Sequence, residues 1–180
     1  MLKPFKIIAE REAGKAGRYP IIEADLETPE GKNVTWSVIS GKDIAVVLAL
    51  DSENNVYLKQ EWRLNRKDFV WEVVSGVVEE ENPTDEQVRA TAEREIQEEV
   101  GMKAGKLEKL LTFYPFNHMR SKVHLFLATD LTESKLARDE HEFLEVKKLP
   151  FQEAYDLVHS QEPTAQNALV FAVAKERISL

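Results

Sequence analysis

The chain has 180 residues and a formal net charge of −8; 43% of its residues are hydrophobic, 31% are charged, and none is cysteine. This length suits one globular domain with a modest extension, and the composition excludes a disordered chain. Without cysteine, any bound metal must use oxygen or imidazole ligands, which favours Mg²⁺ or Mn²⁺. No apolar run is long enough to span a membrane, so a cytoplasmic protein is expected. The acidic balance argues against general nucleic-acid binding.

The N-terminal half of the sequence is typical of β-structure. Apolar patches separated by turn residues predict a short strand within Lys3–Glu10, broken at Gly14–Gly17, and five further strands. Those five are expected at Ile21–Leu26, Val34–Ile39, Ile44–Leu50, Val56–Lys59 and Val70–Val74. The continuous apolar run Ile44–Leu50 indicates a strand that is buried on both faces.

The hydrophobic period then changes to that of a helix, predicted over Thr84–Val100. Thr84 and Gln87 form a capping-box pattern at its start, and Gly101 is a favourable stop. After it the sequence predicts strands at Leu107–Tyr114, Val123–Ala128 and Phe143–Lys147, then helices at Phe151–Ser160 and Thr164–Arg177. This order favours an α+β fold with a mixed sheet packed between helices.

Three glutamates on the predicted helix could hold a metal ion. Glu95, Glu98 and Glu99 are spaced i, i+3 and i+4, so their carboxylates project from one helical face, while neighbouring apolar residues indicate that the other side is buried. A divalent cation would turn the repulsion among the carboxylates into attraction, and oxygen ligands at this spacing suit Mg²⁺. The alternative is an ordinary solvated acidic face.

The string REIQEEVGM at Arg94–Met102 matches the second half of the Nudix box, and the chain therefore resembles the Nudix hydrolase family. Glu86 lies eight residues before Arg94, as in the family. The family also places a glycine six residues before that glutamate, but in this chain Glu80 occupies the position. The glycine that fits is Gly76, four residues further upstream. Four residues are close to one helical turn, so the insertion need not rotate the carboxylate face.

The resemblance implies roles for the residues of this motif. A divalent metal ion, Mg²⁺ or alternatively Mn²⁺, would be held by Glu95, Glu98, Glu99 and the main-chain carbonyl of Ser75. Glu98 and Glu99 are also expected to be catalytic residues. The expected structural residues of the motif are Gly76, Glu86, Arg94 and Gly101. Arg94 is expected to pair with an acid such as Glu86.

The flanking segments VYLKQEWR and FVWEVVSGVV are similar to those of ADP-ribose pyrophosphatase-like members, and this similarity extends from about residue 43 onward. It implies a Nudix domain over 43–180 and an N-terminal β extension over 1–42, which would pair two chains in a homodimer. The substrate-binding residues that it implies are Arg63, Glu72 and Arg120. Ion pairs are the alternative for Arg63 and Glu72, and simple solvation is the alternative for Arg120.

An acidic segment further along resembles the loop that supplies an extra carboxylate in the same subfamily, and Glu140 or Glu142 is then the general base or an additional metal ligand. The implied activity is metal-dependent hydrolysis of the diphosphate bond in ADP-ribose or another nucleotide sugar, which gives a nucleoside monophosphate and a sugar phosphate. Two alternatives stay open: a Nudix-fold module that binds a nucleotide sugar without cutting it, and an RNA-cap or 5′-triphosphate hydrolase.

Overall fold

The structure is a computed structural model that describes residues 2–138 and 143–178. The chain divides into two compact units. One comprises the chain up to Lys42 together with Tyr114–Ser121, and the other comprises Asp43–Phe113 together with the chain from Lys122 onward. Among the described residues, no helix is both long enough and apolar enough to cross a membrane.

The first unit is built on a three-stranded antiparallel sheet of β1 (Lys6–Ala16), β2 (Tyr19–Glu27) and β3 (Asn33–Ile39), in that order. The predicted break over Gly14–Gly17 occurs only at the end of that region. Gly14 lies within β1, where a register shift between Glu12 and Gly14 absorbs the irregularity. The chain reverses only at Gly17, whose φ of 61° suits a tight turn.

The second unit contains a seven-stranded mixed sheet and a separate two-stranded pair. Its strands in chain order are β4 (Ile44–Leu50), β5 (Asn55–Arg63), β6 (Asp68–Glu72), β7 (Val74–Val77), β8 (Met102–Lys103), β9 (Lys106–Phe113), β10 (Val123–Thr129), β11 (Thr132–Glu133) and β12 (Leu144–Pro150). The order in the large sheet is β12-β5-β4-β10-β9, with β6 on β5 and β7 on β4, while β8 pairs with β11. The β4–β10 pair is parallel and the other pairs are antiparallel, so the predicted mixed sheet is confirmed.

Three helices pack in this unit: α1 (Asp85–Glu95), which continues as a π-helical turn over Ile96–Val100, α2 (Phe151–His159) and α3 (Ala165–Lys175). The predicted capping box is confirmed, because Thr84 accepts a hydrogen bond from the Gln87 backbone and the Gln87 side chain accepts one from the Thr84 backbone. Gly101 ends the π-helical turn in the left-handed conformation, with φ of 73°.

Alternate residues of the central strand β4 serve two different cores. Val46 and Leu48 belong to an apolar cluster with α2 and α3, whereas Ala45 and Val47 belong to a second cluster with α1. All four side chains are fully buried. The sheet is therefore packed between helices, as the α+β prediction required, and α1 is held against one face of it by apolar contacts.

Candidate active site

The end of α1 brings the predicted carboxylates together around one guanidinium group. Glu95 is the last residue of α1, and Glu98 lies in the π-helical turn that follows. Arg94 donates to Glu95 Oε1 from Nη2 at 2.5 Å and to Glu98 Oε2 from Nη1. Arg94 therefore pairs with acids as expected, but the partner suggested for it, Glu86, is not one of them, because Glu86 is exposed in the first turn of α1 and the arginine turns toward its own end of the helix.

Glu99 is the most deeply buried of the three glutamates, at 1% exposure. Its Oε2 accepts a hydrogen bond from the backbone N–H of Ser75 at 3.1 Å, and its Oε1 accepts one from the ammonium of Lys59. Burial raises the pKa of Glu99 to about 7; Lys59 opposes this rise and Glu95 adds to it. Without the positive charge of Lys59, the pKa of this carboxylate would be higher still.

Gly76 provides the space in which Glu95 lies. A Cβ added at this position would stand 2.0 Å from Glu95 Oε1, 2.1 Å from its Cδ and 2.3 Å from its Cγ. Only glycine lets β7 approach the helix this closely, so the shifted glycine of the motif fulfils the structural role predicted for it. The four extra residues lie in the loop 78–84, between the end of β7 and the start of α1.

Lys59 is an unexpected cation at the centre of this site. It is 2% exposed, and its Nζ contacts Glu99 and also Glu61 Oε2 at 3.1 Å. Burial alone would lower the pKa of Lys59, but the charges of Glu99 and Glu61 outweigh it and raise the pKa, so the side chain stays an ammonium.

The charges continue along the same face of β5 and onto β6 as a row that we call the charge ladder, defined as Lys59, Glu61 and Arg63 of β5 and Glu72 of β6. Arg63 Nη1 donates to Glu61 Oε1 at 3.1 Å, and Arg63 Nε donates to Glu72 Oε2 at 2.9 Å. Glu72 also accepts from Asn167 Nδ2 at 3.3 Å. The structure thus places the two predicted substrate-binding residues Arg63 and Glu72 in an ion pair with each other, in agreement with the structural alternative.

The donor chemistry around α1 fits a hard divalent cation. Glu95 and Glu98 both face Arg94, Glu99 faces Lys59, and carboxylate oxygens are the ligands that Mg²⁺ and Mn²⁺ prefer. Within the described ranges, no three acidic or histidine side chains are gathered closely enough to form a ready cation cage. The arrangement is that of an acidic centre whose charge is partly offset by two protein cations, Arg94 and Lys59.

The other predicted site residues are Arg120, Glu140 and Glu142. Arg120 belongs to the first compact unit, where it pairs with Glu10. Glu140 and Glu142 lie outside the described residues. Arg138, which precedes these two glutamates in the sequence, donates from Nε to the backbone carbonyl of Glu98 at 3.0 Å and from Nη2 to that of Glu99 at 2.8 Å. These hydrogen bonds satisfy two carbonyl groups at the end of the π-helical turn.

Sequence reasoning missed Lys59, Arg138 and Asn167 as parts of this site. A signal for Lys59 was available, since Lys59, Glu61 and Arg63 alternate along a strand whose other face carries Val56 and Leu58. That period places three charges on one face of a strand beside the central buried strand. Arg138 and Asn167 have no comparable pattern around them, because their partners are distant in the sequence.

Comparisons with known proteins agree with this geometry. A family model described as "NUDIX domain" matches residues 41–169, more than half of the chain. The chain is 31% identical over 160 residues to an ADP-ribose pyrophosphatase of Bacillus subtilis (strain 168), with 87% of this chain and 84% of the relative covered. It is 27% identical over 138 residues to a methanol dehydrogenase activator of Bacillus methanolicus, with 74% and 72% covered. A crystal structure of an ADP compounds hydrolase superposes with a TM-score of 0.80 at 20% identity and covers 98% of this chain and 95% of that one.

Proposed function

The chain belongs to the Nudix family, and we propose that it is a metal-dependent pyrophosphohydrolase that cuts the diphosphate bond of a nucleoside diphosphate linked to another group. One observation carries this proposal: where β7 meets the end of α1, Arg94 pairs with Glu95 and Glu98, and Lys59 and the Ser75 N–H hold Glu99. A purely binding module has no need of three such carboxylates. The same observation speaks against the non-catalytic alternative.

We infer that Glu95, Glu98, Glu99 and the main-chain carbonyl of Ser75 would hold the cation, with Mg²⁺ the first choice. When bound, such a cation supplies charge neutralisation at the phosphate oxygens and lowers the pKa of an attacking water. The protein's own contribution is to fix these donors: the Ser75 N–H holds Glu99, Gly76 leaves room for Glu95, and Arg94 keeps Glu95 and Glu98 on one side of the helix.

ADP-ribose or another nucleotide sugar is the proposed substrate, and the products are a nucleoside monophosphate and a sugar phosphate. The name of the Bacillus subtilis relative supports this choice. Arg63 is one-third exposed at the outer end of the charge ladder, so its guanidinium is accessible to a phosphate or to the terminal sugar even while it holds Glu72. Arg120 is proposed for the same kind of contact from the loop that it occupies.

A loop carboxylate, Glu140 or Glu142, is proposed to orient or deprotonate the attacking water. Support comes from their position in the chain, because they follow Arg138, which is anchored on the carbonyls of Glu98 and Glu99. Glu140 and Glu142 follow this anchored arginine by only two and four residues in the sequence.

A homodimer formed through the first compact unit is also proposed. Several large apolar side chains of its sheet and of the segment before it are exposed: Phe5, Ile7, Ile8 and Trp36. The rings of Phe5 and Trp36 also contact each other, with centroids 4.9 Å apart, and exposed apolar groups of this kind favour an interaction surface. Light scattering after size exclusion would give twice the chain mass, and a strictly monomeric mass at micromolar concentration would remove this part of the proposal.

The activity is tested by incubating the purified protein with ADP-ribose, hexose nucleotides, dinucleotides and capped RNA, each with Mg²⁺ and again with EDTA. We expect Mg²⁺-dependent release of nucleoside monophosphate from ADP-ribose or a hexose nucleotide. Binding of one of these compounds by the folded protein without cleavage would favour the binding module. Cleavage of capped RNA alone would favour the RNA hydrolase.

A further inference from the structure

Lys59 is the feature of this site that the proposed function does not use. Its ammonium is buried between Glu99 and Glu61 on the inward face of β5, with only 2% of the side chain exposed. Burying an ammonium is costly unless it is paired and hydrogen-bonded, so this lysine is retained in the site by its two acidic partners.

The two partners of Lys59 differ in their surroundings. Glu99 is buried, fixed by the Ser75 N–H, and one of the proposed metal ligands. Glu61 is 26% exposed along its side chain and shares its carboxylate with Arg63. A small movement of the lysine away from Glu99 would therefore leave its ammonium paired with Glu61 and nearer to solvent.

We propose that Lys59 is a built-in counter-cation that neutralises Glu99 in the metal-free protein and competes with the divalent ion for it, and that metal binding moves the ammonium from Glu99 to Glu61. This inference rests on the metal centre of the proposed function. Its physical basis is that Glu99 cannot stay fully paired with the Lys59 ammonium and also bind a divalent cation. The ammonium and the divalent cation are both positive, and they repel each other strongly when they share one buried carboxylate.

The consequence is a centre that is folded, with most of its negative charge offset, before the metal arrives. It binds the metal more weakly than three unpaired carboxylates would. The acidic end of α1 then does not depend on metal for its stability. A merely structural Lys59–Glu99 pair would behave differently, because it would stay intact in the metal-bound protein and its removal would loosen Glu99 and weaken metal binding.

The first test is the affinity for Mn²⁺ at pH 7.5 without substrate, measured by calorimetry on the whole chain. Lys59→Met keeps the length of the side chain and removes its charge, and we expect it to tighten Mn²⁺ binding about tenfold or more. Lys148→Met is the matched control, since it also removes one charge from an ion pair, with Asp51, and should leave the affinity unchanged. Unchanged or weaker binding by Lys59→Met would overturn the proposal.

Glu61→Gln should act in the opposite direction. It removes the carboxylate that receives the displaced ammonium, so we expect Mn²⁺ binding to weaken several-fold. An Mn²⁺ affinity that is unchanged or higher in Glu61→Gln would contradict the movement of Lys59 toward Glu61.

A measurement on the unaltered protein keeps the proposal testable if Lys59→Met does not fold. In NMR spectra, the Cε resonance of Lys59 should shift when Mg²⁺ saturates the protein, while that of Lys148 stays in place. A Lys59 resonance that does not respond to saturating Mg²⁺ would overturn the proposal.

These outcomes are separable from the failure of the proposed function. If the protein hydrolyses nucleotide sugars but Lys59→Met and the NMR shift give negative results, the counter-cation role fails and the activity stands. If the affinities and the shift follow expectation but no compound of the panel is cut, the counter-cation role stands and the proposed activity fails.

Discussion

The two faces of the seven-stranded sheet are filled in different ways. The face that packs on α2 and α3 is an apolar core in which Leu48 and Phe171 are fully buried. The face that packs on α1 also has an apolar core, around Val47 and Ile96, but charged groups are buried beside it. Those charged groups are Lys59, Glu95 and Glu99.

This difference indicates which part of the domain supports the fold and which part supports chemistry. Apolar burial on the α2–α3 face stabilises the protein without any ligand. Buried charges on the α1 face contribute little net stability even when paired, so we expect their role to lie in the proposed metal and substrate binding. Changes on the first face should therefore alter stability, and changes on the second should alter function more than stability.

The largest loss of stability is expected on the apolar face. Phe171→Ala removes a fully buried ring that packs edge-on against Phe151, with ring centroids 5.5 Å apart. The free energy of unfolding should fall by about 3–5 kcal/mol in urea titrations, because the substitution leaves a cavity. Leu64→Ala, at a 75% exposed position, is the control and should change it by less than about 0.5 kcal/mol. A cost below about 1 kcal/mol for Phe171→Ala would contradict the description of this face as the stabilising core.

An intermediate loss is expected where the two elements of the charged face meet. Gly76→Ala places a methyl group within 2.0 Å of the Glu95 carboxylate, so this side chain must move. We expect the free energy of unfolding to fall by about 1–3 kcal/mol and the rate of hydrolysis to fall at least about tenfold.

The double variant Gly76→Ala/Glu95→Ala sharpens this test, since removal of the glutamate side chain makes room for the methyl group. Stability should recover by most of the amount lost, while activity should stay low. Full activity in Gly76→Ala alone would show that the position of Glu95 does not matter.

Sequence patterns predicted the apolar face well and the charged face only in part. The hydrophobic pattern predicted the strand Ile44–Leu50 and the helix over Thr84–Val100, because the spacing of apolar residues depends directly on which side chains are buried. The spacing of Glu95, Glu98 and Glu99 also placed these residues at one helix end. Spacing could not predict that Arg94 turns to Glu95 and Glu98 and not to Glu86, since both arrangements satisfy the same local pattern.

Long-range partners were also beyond the reach of the sequence. Lys59 lies 40 residues before Glu99, and Arg138 lies 40 residues after Glu98. Which strand and which loop meet the helix end is decided by the sheet order, and no local propensity encodes it. Gly76 was assigned its role from resemblance, and only the approach of Glu95 gives the physical reason.

A smaller effect is expected at a carboxylate that is satisfied by the protein alone. Burial would raise the pKa of Asp51, but hydrogen bonds from Lys148 and from Asn55 outweigh it and lower the pKa to about 2. Asp51→Asn should therefore cost about 1 kcal/mol at pH 7.

The pH dependence of that cost has a definite sign. Because the folded pKa of Asp51 lies below its unfolded value, its contribution is present above about pH 4 and is lost as the pH falls toward 2. The difference in unfolding free energy between the unaltered protein and Asp51→Asn should shrink over this range. A difference that grows as the pH falls would contradict the assignment.

The most direct test of the central claim is the turnover of Glu99→Gln on a nucleotide sugar under saturating Mg²⁺. Glu86→Gln is the matched control, because it is the same change at an exposed position in the first turn of the same helix. We predict that Glu99→Gln lowers kcat by roughly a thousandfold or more in a protein that still unfolds in one cooperative transition, while Glu86→Gln stays within about threefold of the unaltered protein. A well-folded Glu99→Gln protein with near-normal turnover would contradict a metal centre at the end of α1.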